Sequence, residues 1–143
     1  MHPDKTKIVY CKDGSRKRVV KNRKRNSLFV NFTPAVSAVA LKSMRQRTRE
    51  ARFGTRTYLS VADIARLHNP VLRGWLSYYG RFSPSAMYPV LRHFNRTLIA
   101  WAMRKYKRLR RQRTRAARFV EGIAKRQPQL FVHWQRGMKG AFA

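Results

Sequence analysis

The sequence predicts a mainly α protein: a bundle of helices with a small β-hairpin at its N-terminal end. Three observations carry this. Apolar residues recur at spacings of three and four from about residue 33 onward, cap-forming residues stand ahead of those runs, and alternating apolar residues around a turn signal are confined to residues 1–32.

Taken in order, alternation around Ile8 and Tyr10, the turn dipeptide Asp13-Gly14 and then Val19-Val20 predict the hairpin, with a short apolar run at residues 28–32 behind it. Two or three strands are not stable alone in water, so these either pack on the helices after them or are the edge of a larger domain. Thr33 is the expected N-cap of the first helix, with Pro34 at its first position and Val36, Val39, Ala40 and Met44 on one face, running to about residue 52. Residues 54–58 read as a loop. Ser60 with Asp63 three positions on has the form of a capping box and opens a short helix through Leu67. His68-Asn69-Pro70 predicts a stop, with Asn69 capping a third helix, because the residue before a proline is pushed out of the α region. That helix places Val71 or Leu72, Trp75, Tyr79 and Phe82 on one face, and Ser83-Pro84-Ser85 ends it. In the fourth helix Met87, Leu91, Phe94, Leu98 and Trp101 repeat at four, three, four and three, a stripe broad enough to require partner helices. A thinner pattern of Tyr106, Leu109, Ala116, Val120 and Ile123 continues it, with a break near Arg113, and the apolar stretch 128–134 is expected to dock back on the helices.

Composition limits the function. The chain has 143 residues, 34 Lys plus Arg against 5 Asp plus Glu, and a formal net charge of +29, so one domain is the length expectation and a compact monomer repels itself strongly. With 43% hydrophobic residues it is no wholly disordered basic tail. Nucleic acid is the partner that such Arg-rich, aromatic-interleaved charge predicts. The single cysteine, Cys11, makes no internal disulfide, the polar start of the chain lacks a signal-peptide core, and no run of about 18 apolar residues occurs, so a cytoplasmic protein with no membrane partner is expected. His2, His68, His93 and His133 have no metal-ligand spacing, and no nucleophile motif appears, so no catalytic residue, metal or cofactor is predicted.

Several strings resemble a family. They are Phe29-Val30-Asn31-Phe32-Thr33-Pro34-Ala35-Val36-Ser37; Ile64-Ala65 with Asn69-Pro70-Val71-Leu72-Arg73-Gly74-Trp75; Tyr78-Tyr79-Gly80-Arg81-Phe82; Trp101-Ala102 with Arg104-Lys105-Tyr106-Lys107; and Pro128, Leu130-Phe131 and His133-Trp134. In this order they look like the maturase-specific domain, domain X, of group II intron-encoded reverse transcriptases, over roughly residues 29–138. Residues 2–13 similarly resemble the end of the polymerase palm that precedes it. The resemblance implies a palm remnant at 1–32 and a helical thumb and maturase domain at 33–143. It further implies a protein that grips group II intron RNA and assists its splicing while the RNA performs the chemistry, in a prokaryote or an organelle. The family's polymerase motif Tyr-Xaa-Asp-Asp is missing, since the only aspartates are Asp4, Asp13 and Asp63. This marks the chain as no enzyme by itself. Two other readings stay open: a non-catalytic part of a reverse transcriptase working with a separately encoded catalytic piece, and a generic basic DNA-binding or ribosome-associated protein.

Candidate RNA contacts follow the charge. Nine basic residues fall in 104–118, of which Arg104, Lys105, Lys107, Arg108, Arg110, Arg111 and Arg115 are the foremost phosphate ligands. On an unbroken helix Arg104, Arg108, Arg111, Arg115 and Arg118 form one ridge. Arg73 and Arg81 flank Tyr78, the candidate for stacking on an unpaired base, whereas Trp75 and Tyr79 are read as core and His133 as packing or touching RNA. Arg16, Lys17, Arg18, Arg23, Lys24 and Arg25 form a secondary basic surface. Gly74 and Gly80 are expected to permit close helix approach.

Overall fold

A computed structural model describes residues 20–22, 27–29, 36–81 and 84–138, and in these the protein is mainly helical. The hairpin expected about Asp13-Gly14 lies outside them. The strands that are described pair residues further along, Val20–Asn22 (β1) antiparallel to Ser27–Phe29 (β2), with Val20 opposite Phe29, and they give no support to the predicted palm remnant.

Helix α1 spans Ala38–Glu50, later than expected, because Ser37 supplies the cap: its Oγ accepts from the Ala40 N–H at 3.2 Å. Val36 and Met44 face the core as anticipated, but Val39 is 48% exposed and Thr48 takes a buried place. A 3-10 turn, Phe53–Thr55, follows.

Helix α2 spans Val61–Tyr78 and merges two helices the sequence had separated. Its start is the predicted capping box, with the Asp63 N–H donating to Ser60 Oγ at 3.1 Å and the Ser60 N–H donating to Asp63 Oδ2 at 2.9 Å. Pro70 sits inside it. A proline removes one helical hydrogen bond, here the one to the Arg66 carbonyl, and both residues are exposed. Ile64 and Ala65 before the proline and Leu72 and Leu76 after it enter one core, which keeps the two halves continuous. Asn69, expected as a cap, is a clasp instead: its Nδ2 donates to the Leu130 carbonyl at 2.9 Å and its Oδ1 accepts from the Val132 N–H at 3.2 Å.

A 3-10 turn at Pro84–Met87 leads into α3, Tyr88–Lys105. The predicted stripe is buried throughout, with Met87, Leu91, Phe94, Leu98 and Trp101 at most 2% exposed. Helix α3 is the hub, packing on α1, the Phe53–Thr55 turn and α4, Arg113–Arg126. The tail docks as expected through a short helix α5, Val132–Gln135, against α2, and Phe131, His133 and Trp134 are fully buried. Each large apolar side chain buried in this way contributes about 1.5–3 kcal/mol before conformational entropy is counted.

Glycine roles differ from expectation. At Gly74 a Cβ meets nothing within 4 Å, so it allows no helix approach. At Gly80 a Cβ lies 2.7 Å from the Leu76 carbonyl oxygen of its own helix, whose end it closes. The close approach between elements is at Gly54, where a Cβ sits 3.2 Å from Thr97 Cγ2 of α3.

Candidate nucleic-acid interface

The expected ridge is broken. Helix α3 ends at Lys105 because Tyr106 turns extended (φ −107°, ψ 113°), its ring edge-on to Trp101 at 6.0 Å and to Phe119 at 5.1 Å. A 3-10 turn, Lys107–Leu109, follows, Arg111 takes a left-handed conformation at φ 62°, and α4 starts at Arg113. Leu109, 3% exposed, anchors this corner. Lys107, Arg108, Arg110 and Arg111 on either side of it are exposed. Arg108 lies 5.6 Å from the Phe119 ring centre, a cation–π distance that holds the guanidinium at the surface. Arg111 at positive φ stores about 1–2 kcal/mol of backbone strain. The basic residues therefore form a corner between two helices, and Arg115 stands on α4 with its Nη1 donating to Gln112 Oε1 at 3.1 Å.

Arg104 and Lys105 are turned to structural work. Arg104 Nη1 donates to the Gly54 carbonyl at 2.9 Å, and Lys105 Nζ donates to the carbonyls of Thr57 and Leu59 at 3.0 and 2.7 Å. They close the 53–59 loop onto the end of α3. Arg104→Ala is accordingly expected to cost about 1.5–3 kcal/mol in urea unfolding, as for hydrogen bonds to charged groups, while Lys107→Ala stays within about 0.5 kcal/mol. Equal midpoints for the two variants would remove the distinction.

At the end of α2, Arg73 is exposed and Tyr78 is 78% exposed, its ring 4.7 Å from the half-buried Tyr79. Arg81 is exposed but engaged in an interaction of its own. Trp75 is half-buried and helps line a cleft of about 320 Å³ between α1 and α2, together with Leu67, Val71 and Arg47. The basic run Arg16, Lys17, Arg18, Arg23, Lys24 and Arg25 lies outside the described residues.

His133 is not a surface residue. It is 0% exposed, with Nε2 2.8 Å from Asn95 Oδ1, which also accepts from Trp134 Nε1 at 3.3 Å. Burial pushes its pKa down to about 3. This removes it from RNA contact and leaves it packing alone.

The positive field has little to oppose it. Among the described residues the acids are Glu50, Asp63 and Glu121. Glu50 accepts from Gln46, Asp63 caps α2 and is held below the ordinary carboxylate range chiefly by the Ser60 hydroxyl, and Glu121 pairs with Lys125 at 3.0 Å. The sequence reading missed one group of cations: the charges of Arg45 and Arg49 of α1, with Arg96 of α3, act on His93 of α3 and, after burial, help to hold its imidazole below the ordinary range. The four-residue spacing of Arg45 and Arg49 is the signal for the α1 pair, but only the packing of α1 on α3 brings in the rest.

Together these features define a mainly helical, strongly basic domain with exposed cations at a strained corner. Residues 41–119 match the family described as group II intron, maturase-specific domain, and the chain belongs to that family. Membership ties it to group II introns, their maturases and splicing. Nothing among the curated proteins or the solved structures matches it. Among the described residues no group of His, Cys, Asp and Glu is disposed to hold a metal, and no helix is long and apolar enough to cross a membrane.

Proposed function

We propose that this chain binds group II intron RNA and assists its folding into the splicing-competent form, the RNA itself carrying out the transesterifications. The observation that carries this reading is the corner at residues 106–112, where Lys107, Arg108, Arg110 and Arg111 stand exposed around buried Leu109. No acidic residue falls between Asp63 and Glu121 to compete with phosphate for them. Tyr78 adds an exposed ring on which an unpaired base stacks. In this reading Arg104 and Lys105 keep the corner in place rather than touching RNA. The maturase unit is 33–143, within which the matched stretch falls, and the catalytic portion of a reverse transcriptase, where one acts, is a separate body.

Competition binding tests it. At about 0.15 M salt, where charges more than about 8 Å apart are screened, a group II intron RNA is expected to bind tighter than tRNA or duplex DNA of equal length. Equal affinity for all three would leave only a generic basic binder.

A further inference from the structure

The loop between α1 and α2 is anchored by two apolar side chains and displays polar and aromatic ones between and beside them. Phe53 is 0% exposed and Leu59 packs half-buried on the core, whereas Arg52, Arg56 and Tyr58 stand in solvent. Tyr58 is 77% exposed, although an aromatic side chain ordinarily buries most of its large surface.

The backbone that displays this ring is fixed. The Leu59 N–H donates to the Arg56 carbonyl at 3.2 Å, closing a turn with Tyr58 at its third position. Lys105 Nζ, from the last residue of α3, donates to the carbonyls on either side of Tyr58, those of Thr57 and Leu59, and lies 5.4 Å from the Trp101 ring centre. Arg104 and the close approach of Gly54 to Thr97 hold the other end of the loop. Arg52 opens it at φ 47°, a left-handed conformation that an arginine adopts only where surrounding contacts enforce it.

The charges around the ring define what it meets. Arg52 and Arg56 lie on the loop itself, and Lys107 and Arg108 follow directly after the end of α3 to which the loop is tied, so ring and corner share that end. Asp63, the acid closest to Tyr58 in sequence, is committed to capping α2. Surfaces that hold unpaired strands combine cations along the phosphate backbone with rings on which bases stack. A ring already held in place also binds without the cost of ordering its loop.

We propose that Tyr58 stacks on an unpaired base of the RNA whose phosphates lie on the α3–α4 corner. The proposal rests on the RNA-binding reading and adds to it a base contact at the α1–α2 loop, apart from Tyr78 at the end of α2.

The test uses the full chain with three probes: a group II intron RNA, an unstructured single-stranded oligoribonucleotide, and a duplex RNA of the same length. Tyr58→Ala is expected to weaken binding of the first two at least about fivefold, the lower end for one stacked base. Duplex RNA, whose bases already stack on one another, is expected to bind this variant as before. The salt slope is expected to hold, since no phosphate contact is lost, and so is the melting temperature, since the ring is exposed. Tyr58→Phe keeps the ring and is expected to bind like the native chain. Unchanged single-strand affinity in Tyr58→Ala overturns the stacking site while leaving RNA binding by the chain intact. Equal losses in Tyr58→Phe and Tyr58→Ala also overturn it, assigning the contact to the hydroxyl. Failure of the intron RNA to outcompete tRNA strikes instead at the underlying reading.

Discussion

Trp134→Ala is expected to lower the unfolding free energy by about 3–5 kcal/mol, the range for removing a buried large aromatic, against a total of about 5–15 kcal/mol for a domain of this size. The indole is 0% exposed, 4.5 Å from the Phe131 ring, and its Nε1 donates to Asn95. Its loss opens a cavity where α5 closes the core and strips Asn95 Oδ1 of a donor. Asn95→Leu isolates the polar part: it leaves His133 Nε2–H and Trp134 Nε1–H buried without their acceptor, at about 1–3 kcal/mol for each.

Acid attacks the same cluster. The 2.8 Å contact to Asn95 Oδ1 assigns the proton to His133 Nε2, and Nδ1 is a buried atom with no partner. Protonation places an N–H there with nothing to accept it. The folded pKa of about 3 lies below the ordinary 6.5, so the unfolded chain binds the proton first. Stability is complete above pH 6.5 and falls below it by about 1.4 kcal/mol per pH unit until the folded group titrates near 3. Urea unfolding followed by circular dichroism at pH 7.5 and 5 measures both effects, and a midpoint unmoved by Trp134→Ala would contradict the core described for α5.

The second large effect is on binding. Converting Lys107, Arg110 and Arg111 together to alanine is expected to weaken RNA binding at least about tenfold and to reduce the salt slope by about 2, from about 0.7 for each of three phosphates. The three side chains are exposed and make none of the loop-closing hydrogen bonds of Arg104 and Lys105, so the melting temperature is expected to hold or rise. A rise has its cause in the reduced repulsion among neighbouring cations, since alanine leaves the φ 62° strain of Arg111 in place; Arg111→Gly relieves that strain, so the glycine variant should melt higher than the alanine one. An intact fold with unaltered affinity and salt slope would move the interface elsewhere. Because Arg104 holds Gly54, a charge-removal variant that included it would mix unfolding with lost contacts.

Much of the fold was legible where a local pattern sufficed. The Ser60–Asp63 capping box and the Met87 to Trp101 stripe needed only residues three and four apart, and both stand as read. Pro70 misled because its local preference is for a stop, and burial of Ile64 and Leu76 on either side outweighs one missing hydrogen bond. The helix break at Tyr106 was hidden for the opposite reason: nothing in residues 104–113 is a strong breaker, and it is the packing of Tyr106 on Trp101 and Phe119 that turns the chain.

By itself the sequence determined the helical class, the strong positive charge and the family strings, because these rest on composition and on spacing within one or two turns. Only the tertiary structure decided which cations are engaged by the protein's own carbonyls. Arg104 and Lys105 stand beside Lys107 in the chain, yet they bend onto carbonyls about 50 residues away in sequence. A side chain's charge is written in its type; whether a carbonyl, a ring or the solvent receives it depends on elements that only folding brings together.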